Sequence, residues 1–176
     1  NNLNTGRQDL KGAGTQTAGL GFGGYKPGSN ADETEEYDGT SWTESGDLNT
    51  GRRELAGCGT QTAGFAFAGQ VTTDSALAET YDGSTWTEVA DLSTARQEHA
   101  GALGTTTAAV CAGGGGTATA NSETFNGTAW TEGNNLNAAK NSLGSFGSST
   151  AGLVFGGGPA LATVEFYDGT SWTEVG

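Results

Sequence analysis

The chain has no methionine, one histidine, two prolines and two cysteines among its 176 residues. Basic residues are scarce too. Seven Lys and Arg stand against twenty Asp and Glu, for a net charge of -13. A chain this poor in Lys and Arg has no basic face for neutralising phosphates, which excludes nucleic-acid binding of the ordinary kind. No run of eighteen apolar residues occurs, so no segment reads as a membrane-spanning helix. Position 1 is Asn rather than Met, which reads as a processed product or a part of something longer, and no signal peptide is visible. Two cysteines, Cys58 and Cys111, do not make a disulfide framework. A bond between them stays open, and they do not report the compartment.

Glycine, by contrast, contributes 32 residues, while hydrophobic residues make up only 34% and charged residues 15%. Such a balance can leave a chain without a core. The placing of the aromatics argues otherwise. Trp42, Trp86, Trp130 and Trp172 recur at intervals of 44, 44 and 42 residues. Leu3, Leu48, Leu92 and Leu136 recur with nearly the same period. Two anchors with one period define four tandem units, 1–46, 47–90, 91–134 and 135–176, within a single domain.

Each unit opens with Leu-x-x-x-Arg, carrying Arg7, Arg52 and Arg96, with Lys140 in the fourth. A stretch of Gly, Ala and Thr follows, then an apolar run such as Leu20-Gly21-Phe22 or Phe65-Ala66-Phe67 that ends in glycine. After a variable loop the unit closes on Glu-x-Tyr/Phe-Asp/Asn-Gly-x-x-Trp-Thr-Glu, starting at Glu35, Glu79, Glu123 and Glu165. The apolar runs alternate with period 2, as a strand with one buried face does. Asp-Gly or Asn-Gly between an aromatic strand and a Trp strand supplies the positive φ of a hairpin turn. No helical stripe occurs. The expectation is an all-β fold with four short antiparallel strands per unit, the pattern of a β-propeller blade. Small residues of the first strand suit the crowded axis, and Trp and Tyr suit the wider gaps between blades.

The series Arg7, Gly23-Gly24, Tyr37-Asp38 and Trp42, with its counterparts in the other units, resembles a kelch repeat across the whole chain. Unit two has Ala68-Gly69 for Gly-Gly, unit three Phe125-Asn126 for Tyr-Asp, and unit four Lys140 for Arg. The resemblance implies a propeller of kelch-like blades. Such propellers usually have five or more blades, and here there are four. The wording Tyr-Asp-Gly-Thr-Ser-Trp-Thr-Glu also resembles kelch-like repeats in virion and other surface proteins of environmental phages. Kelch-type copper oxidases need several His and Tyr ligands, which one histidine does not provide. Three arrangements stay open: four blades closed on themselves, half of an eight-bladed ring made by a dimer, or a segment of a longer array or fibre. The lack of a polar cap on the terminal units favours self-closure.

Candidate chemistry is sparse. His99 stands where Leu10, Leu55 and Leu143 stand, which suits a structural role better than catalysis. Asp9, Glu54 and Glu98 recur before strand one, where the mouth of a channel would lie, and three converging carboxylates could hold Ca²⁺. The favoured alternative is that they pair with Arg7, Arg52, Arg53 and Arg96 or stay solvated. The Glu35 series and Glu44, Glu88, Glu132 and Glu174 occur in every unit, which suits strand edges and blade-to-blade pairing with the recurrent Arg and Lys better than acid–base hydrolysis. Cys58 aligns with Ala13 and Ala102, and Cys111 with Phe22, Phe67 and Phe155, so both read as core residues. Asn126-Gly127-Thr128 is the one glycosylation sequon. The loops between the second and third strands differ most, and Tyr25, Lys26, Asp32, Asp74, Leu77 and Leu161 are the candidate contacts there. The expected function is a non-enzymatic structural or binding module, extracellular or virion-associated. It would bind copies of itself or another surface protein and use no cofactor. A carbohydrate-binding propeller is the alternative.

Overall fold

The computed structural model describes residues 1–175, and every regular element in it is a β-strand. The Gly/Ala/Thr stretches and the apolar runs form hairpins: β1 (Lys11–Thr15) with β2 (Ala18–Phe22), β7 (Ala56–Thr60) with β8 (Ala63–Phe67), β11 (Ala100–Thr105) with β12 (Ala108–Ala112), and β15 (Gly144–Ser148) with β16 (Ala151–Phe155). The closing motifs supply two more strands to each unit. These are β5 (Thr34–Tyr37) and β6 (Trp42–Glu44), β9 (Ala78–Tyr81) and β10 (Trp86–Glu88), β13 (Ser122–Phe125) and β14 (Trp130–Glu132), and β17 (Val164–Tyr167) and β18 (Trp172–Val175). The four strands per unit lie where the repeat places them. Loop one adds a small hairpin that the sequence reading lacks, β3 (Tyr25–Lys26) with β4 (Ser29–Asn30), turning at Pro27-Gly28.

The sheets are not four equal ones. Units one and two are four-stranded sheets, whereas units three and four join into one eight-stranded sheet, β14-β13-β12-β11-β15-β16-β17-β18. A parallel bridge at Leu103–Gly147 makes the join, next to a bulge between Ala100 and Leu103 in β11. The expected self-closure is not observed. Among the described residues no strand pairing and no backbone hydrogen bond ties β15 back to β1. The four units form an open, curved row whose first strands, from Gly12 of unit one to Ser145 of unit four, line a common cavity.

Three apolar cores lie at the three joints between units. Leu20 and Phe22 of unit one meet Leu48, Leu55, Tyr81 and Trp86 of unit two. Phe65 and Phe67 meet Leu92, Phe125 and Trp130 of unit three. Leu103, Val110 and Ala112 meet Leu136, Val154, Tyr167 and Trp172 of unit four. Facing glycines let the rings sink in. A Cβ on Gly57 would lie 2.4 Å from Phe22 Cζ, and one on Gly101 would lie 2.9 Å from Phe67 Cζ. These are distances no real side chain tolerates. At the third joint the sizes exchange: Ala112 stands in the Phe position and Ser145 in the Gly position.

That register corrects one alignment. Cys111 pairs with Glu123 as Gly21 pairs with Glu35 and Ala66 with Glu79, so Ala112 fills the slot of Phe22, Phe67 and Phe155. Likewise Leu103, opposite Val110, rather than Ala102, matches Cys58 opposite Phe65. Both cysteines are free and buried, and burial pushes each thiol up to about 12.

The carboxylates of the Glu35 series are not at strand edges. Each is buried inside its own unit against the Arg or Lys of the opening motif. The pairs are Arg7–Glu35 at 3.0 Å, Arg52–Glu79 at 2.6 Å, Arg96–Glu123 at 2.7 Å and Lys140–Glu165 at 2.6 Å. The same carboxylates accept the backbone N–H groups of Asn4, Asn49, Ser93 and Asn137, one residue past each opening Leu. An ion pair thus anchors the segment that plugs each core. Burial alone would push the Glu165 carboxyl up, but the Asn137 N–H and Lys140 hold it below the usual range.

The closing turns are the predicted ones, with Gly39 at φ 92°. Asp38 Oδ1 accepts the N–H groups of Thr40 and Ser41, and Asp82, Asn126 and Asp168 repeat the arrangement. In Asp82 those hydrogen bonds bring the carboxyl down to about 2. The sequon residue Asn126 is itself a turn residue, its Oδ1 taken up by Thr128 and Ala129.

Candidate functional site

One end of the row carries the loops that differ most between units. Asp9, Glu54, Glu98 and Ser142 stand at equivalent points there, each with φ between 51° and 55°. This is the left-handed region, which non-glycine residues enter at a cost of roughly 1–3 kcal/mol when the surroundings impose it. What imposes it is a relay of backbone bonds across the joints. Glu54 N–H donates to Asp9 O (3.2 Å), Glu98 N–H to Glu54 O (3.2 Å), and Ser142 N–H to Glu98 O (2.6 Å).

The side chains of these residues line a single cavity of 330 Å³ with Lys11, Leu55, His99 and Leu143. The structure therefore brings Asp9, Glu54 and Glu98 together as the repeat implies. They are not drawn close enough to act as one ligand set. Among the described residues no group of three His, Cys, Asp or Glu could hold a metal ion. Of the four arginines considered as partners, only Arg53 approaches this group, 3.8 Å from Glu54, because Arg7, Arg52 and Arg96 are committed to the Glu35 series. Burial, with the Glu98 charge nearby, raises the Glu54 carboxyl. Ser142 Oγ–H donates to Glu98 at 2.7 Å.

His99 is 95% buried in its leucine slot, its ring tilted 49° to that of Phe67 with ring centres 5.7 Å apart, and neither nitrogen has a protein partner. Burial, helped by Arg96 and Lys11, pushes its imidazole down to about 3 from 6.5. The folded chain therefore refuses a proton that the unfolded chain accepts below pH 6.5. Stability falls as pH drops from 6.5 toward 3 and is unaffected above that window. His99→Leu is expected to remove about 2 kcal/mol of acid sensitivity between pH 7.5 and pH 5. Urea unfolding of both proteins at the two pH values measures it. Equal pH dependence in the two would refute a neutral buried imidazole.

The loops between the second and third strands surround the mouth, but their inner halves are joints rather than free surface. Asp32 O accepts Leu48 N–H, Ala76 O accepts Leu92 N–H and Ala120 O accepts Leu136 N–H. Tyr25 is half-buried with Arg53 over its ring at 5.0 Å, and Lys26 is paired with Glu33. Asp74, Leu77 and Leu161 are partly buried, and Asp32 is exposed. The fully exposed parts are the tips, Pro27–Ser29, Val71–Thr73, Gly116–Thr117 and Pro159–Ala160.

A second depression, of 570 Å³, lies between units three and four, and sequence reasoning missed it. At the first joint the Tyr81 hydroxyl donates to Glu36 at 2.5 Å and meets Ser45. At the third joint Thr124 and Gly133 replace those two residues, and the cleft opens beside Tyr167 with Asn126, Asn134 and Thr170 on its walls. The replacement of Glu36 and Ser45 by smaller residues was the available signal.

Comparison of the sequence with protein-family models and with curated proteins finds no match. The resemblance to kelch repeats thus rests on the sequence pattern alone.

Proposed function

We propose that the chain is a kelch-like, propeller-type scaffold that works as a non-enzymatic structural or binding module, extracellular or virion-associated. The observation that carries this reading is the asymmetry of its two ends. The Asp-Gly turns at one end are nearly identical in all units, while the loop tips around the acidic mouth differ in length and chemistry. Variable loops held by a rigid framework are the usual form of a recognition surface. Replacing the four tips with Gly-Ser segments of equal length should abolish capture of a surface or virion protein from the source material and leave the fold intact by circular dichroism. Equal capture by the wild type and the variant would overturn the reading.

The carbohydrate-binding alternative is favoured by one observation, the cleft beside Tyr167, whose amide and hydroxyl walls suit a sugar. The tryptophans do not add to it, because Trp86, Trp130 and Trp172 are buried at the joints and Trp42 lies over its own glycines. A glycan array that lights up with the wild type and goes dark with Asn134→Ala, a variant on the exposed wall of the cleft, would move the assignment to this class.

A further inference from the structure

The row ends in two faces that match each other. On the outer face of unit four, Phe146, Phe155, Phe166 and Val175 are 60, 40, 49 and 36% exposed. Strand register places all four on one side of the sheet, around Leu153. Phe166 occupies the position of Glu36, Thr80 and Thr124, so the last unit is more apolar there than the covered ones. A terminal unit that faced water would be expected to carry a polar cap.

On the outer face of unit one, Leu3, Leu10, Tyr37 and Trp42 are only partly buried, although Leu48, Tyr81 and Trp86 in the same positions of unit two are covered. Gly12 and Gly19 lie on this face. A Cβ at either would meet only atoms of unit one. Their counterparts Gly57 and Gly64 receive Phe22 and Leu20 of the preceding unit. Phe155 and Leu153 correspond to Phe22 and Leu20. The free ends therefore repeat the first joint, with Phe and Leu on one side and Gly and Gly on the other.

The backbone carries the same message. Gly24, Gly69 and Gly114 each donate N–H to the carbonyl of the next unit's Arg52, Arg96 or Lys140, at 2.8 to 2.9 Å. Among the described residues Gly157 N–H makes no such bond to Arg7, and no bond from Asp9 N–H to Ser142 continues the relay. These end groups hold the same positions in their units as the groups bonded at the three built joints.

We propose that unit four of one copy docks on unit one of a second copy through this same head-to-tail joint. The inference does not rest on the loop tips, which lie outside the contact. Because the two surfaces differ, the contact is heterologous and adds copies in one direction until geometry closes the assembly. Wild-type protein in mass photometry and analytical ultracentrifugation should show concentration-dependent dimers or larger species. Phe155→Ser with Phe166→Ser removes one face, and Gly12→Leu blocks the other. Each variant alone should be monomeric, and an equimolar mixture should form dimers and nothing larger. Circular dichroism and melting profiles like those of the wild type establish that both variants fold. A wild type that stays monomeric throughout, or dimers that survive in both variants alone, would overturn the proposal.

Discussion

Glu79→Ala is expected to destabilise the chain by about 3–5 kcal/mol in urea unfolding. Arg52 is 0% exposed, and among the described residues Glu79 is its only acid at hydrogen-bond distance. Removing the carboxylate strands a guanidinium where water does not reach it. The Asn49 N–H and side-chain amide lose their acceptor in the same step. Asn49 follows Leu48, which plugs the first core, so the damage reaches the joint. The pair itself is a different quantity from the cost of breaking it. Replacing both partners, Arg52→Met with Glu79→Leu, is expected to recover much of the loss, because two desolvated charges are exchanged for apolar volume. A single variant within about 1 kcal/mol of the wild type would show that solvent reaches the site.

Phe67→Ala and Phe155→Ala are expected to differ sharply, although the two residues hold the same place in their units. Phe67 is fully buried over Gly101 and beside Trp130, at a ring-centre distance of 5.0 Å. Its truncation leaves a cavity that a glycine opposite does nothing to fill, at a cost of about 3–5 kcal/mol. Phe155 is 40% exposed, and its loss from a dilute, unassociated chain should change stability by about 0.5 kcal/mol or less. Denaturant titrations at nanomolar protein give both values. A large loss for Phe155→Ala under those conditions would mean that the chain covers its own end face.

Much of this was legible in the residues. Alternation in Leu20-Gly21-Phe22 gave β2 and its buried face, and Asp-Gly gave the closing turns. The misreadings have physical causes. Glu35 and its counterparts read as strand-edge charges paired from blade to blade with the recurrent Arg and Lys; the pairing is there, but each pair is buried within a single unit, where the opening and closing motifs meet in three dimensions. Cys111 was placed one residue off because Gly113 to Gly116 offer several ways to match Gly23-Gly24, and only pairing with Glu123 chooses among them. The open row was not legible at all. Closure depends on the angle between neighbouring units, and a repeat sequence specifies contacts before it specifies angles. Asp9, Glu54 and Glu98 line one cavity, but the spacing between these carboxylates is a property of the backbone relay rather than of the repeat.

The exchange of sizes at the joints has a genetic consequence. Phe22 and Phe67 seat over Gly57 and Gly101, whereas Ala112 and Ser145 share the burden at the third joint. If recombination swapped units two and three, Ala112 would face Gly57 across a void and Phe67 would be driven into Ser145. The units therefore behave like wards in a lock. Their closing motifs are interchangeable, but their order of succession is not. Near-identical repeats invite unequal crossing-over, and these few positions decide which products of it still fold.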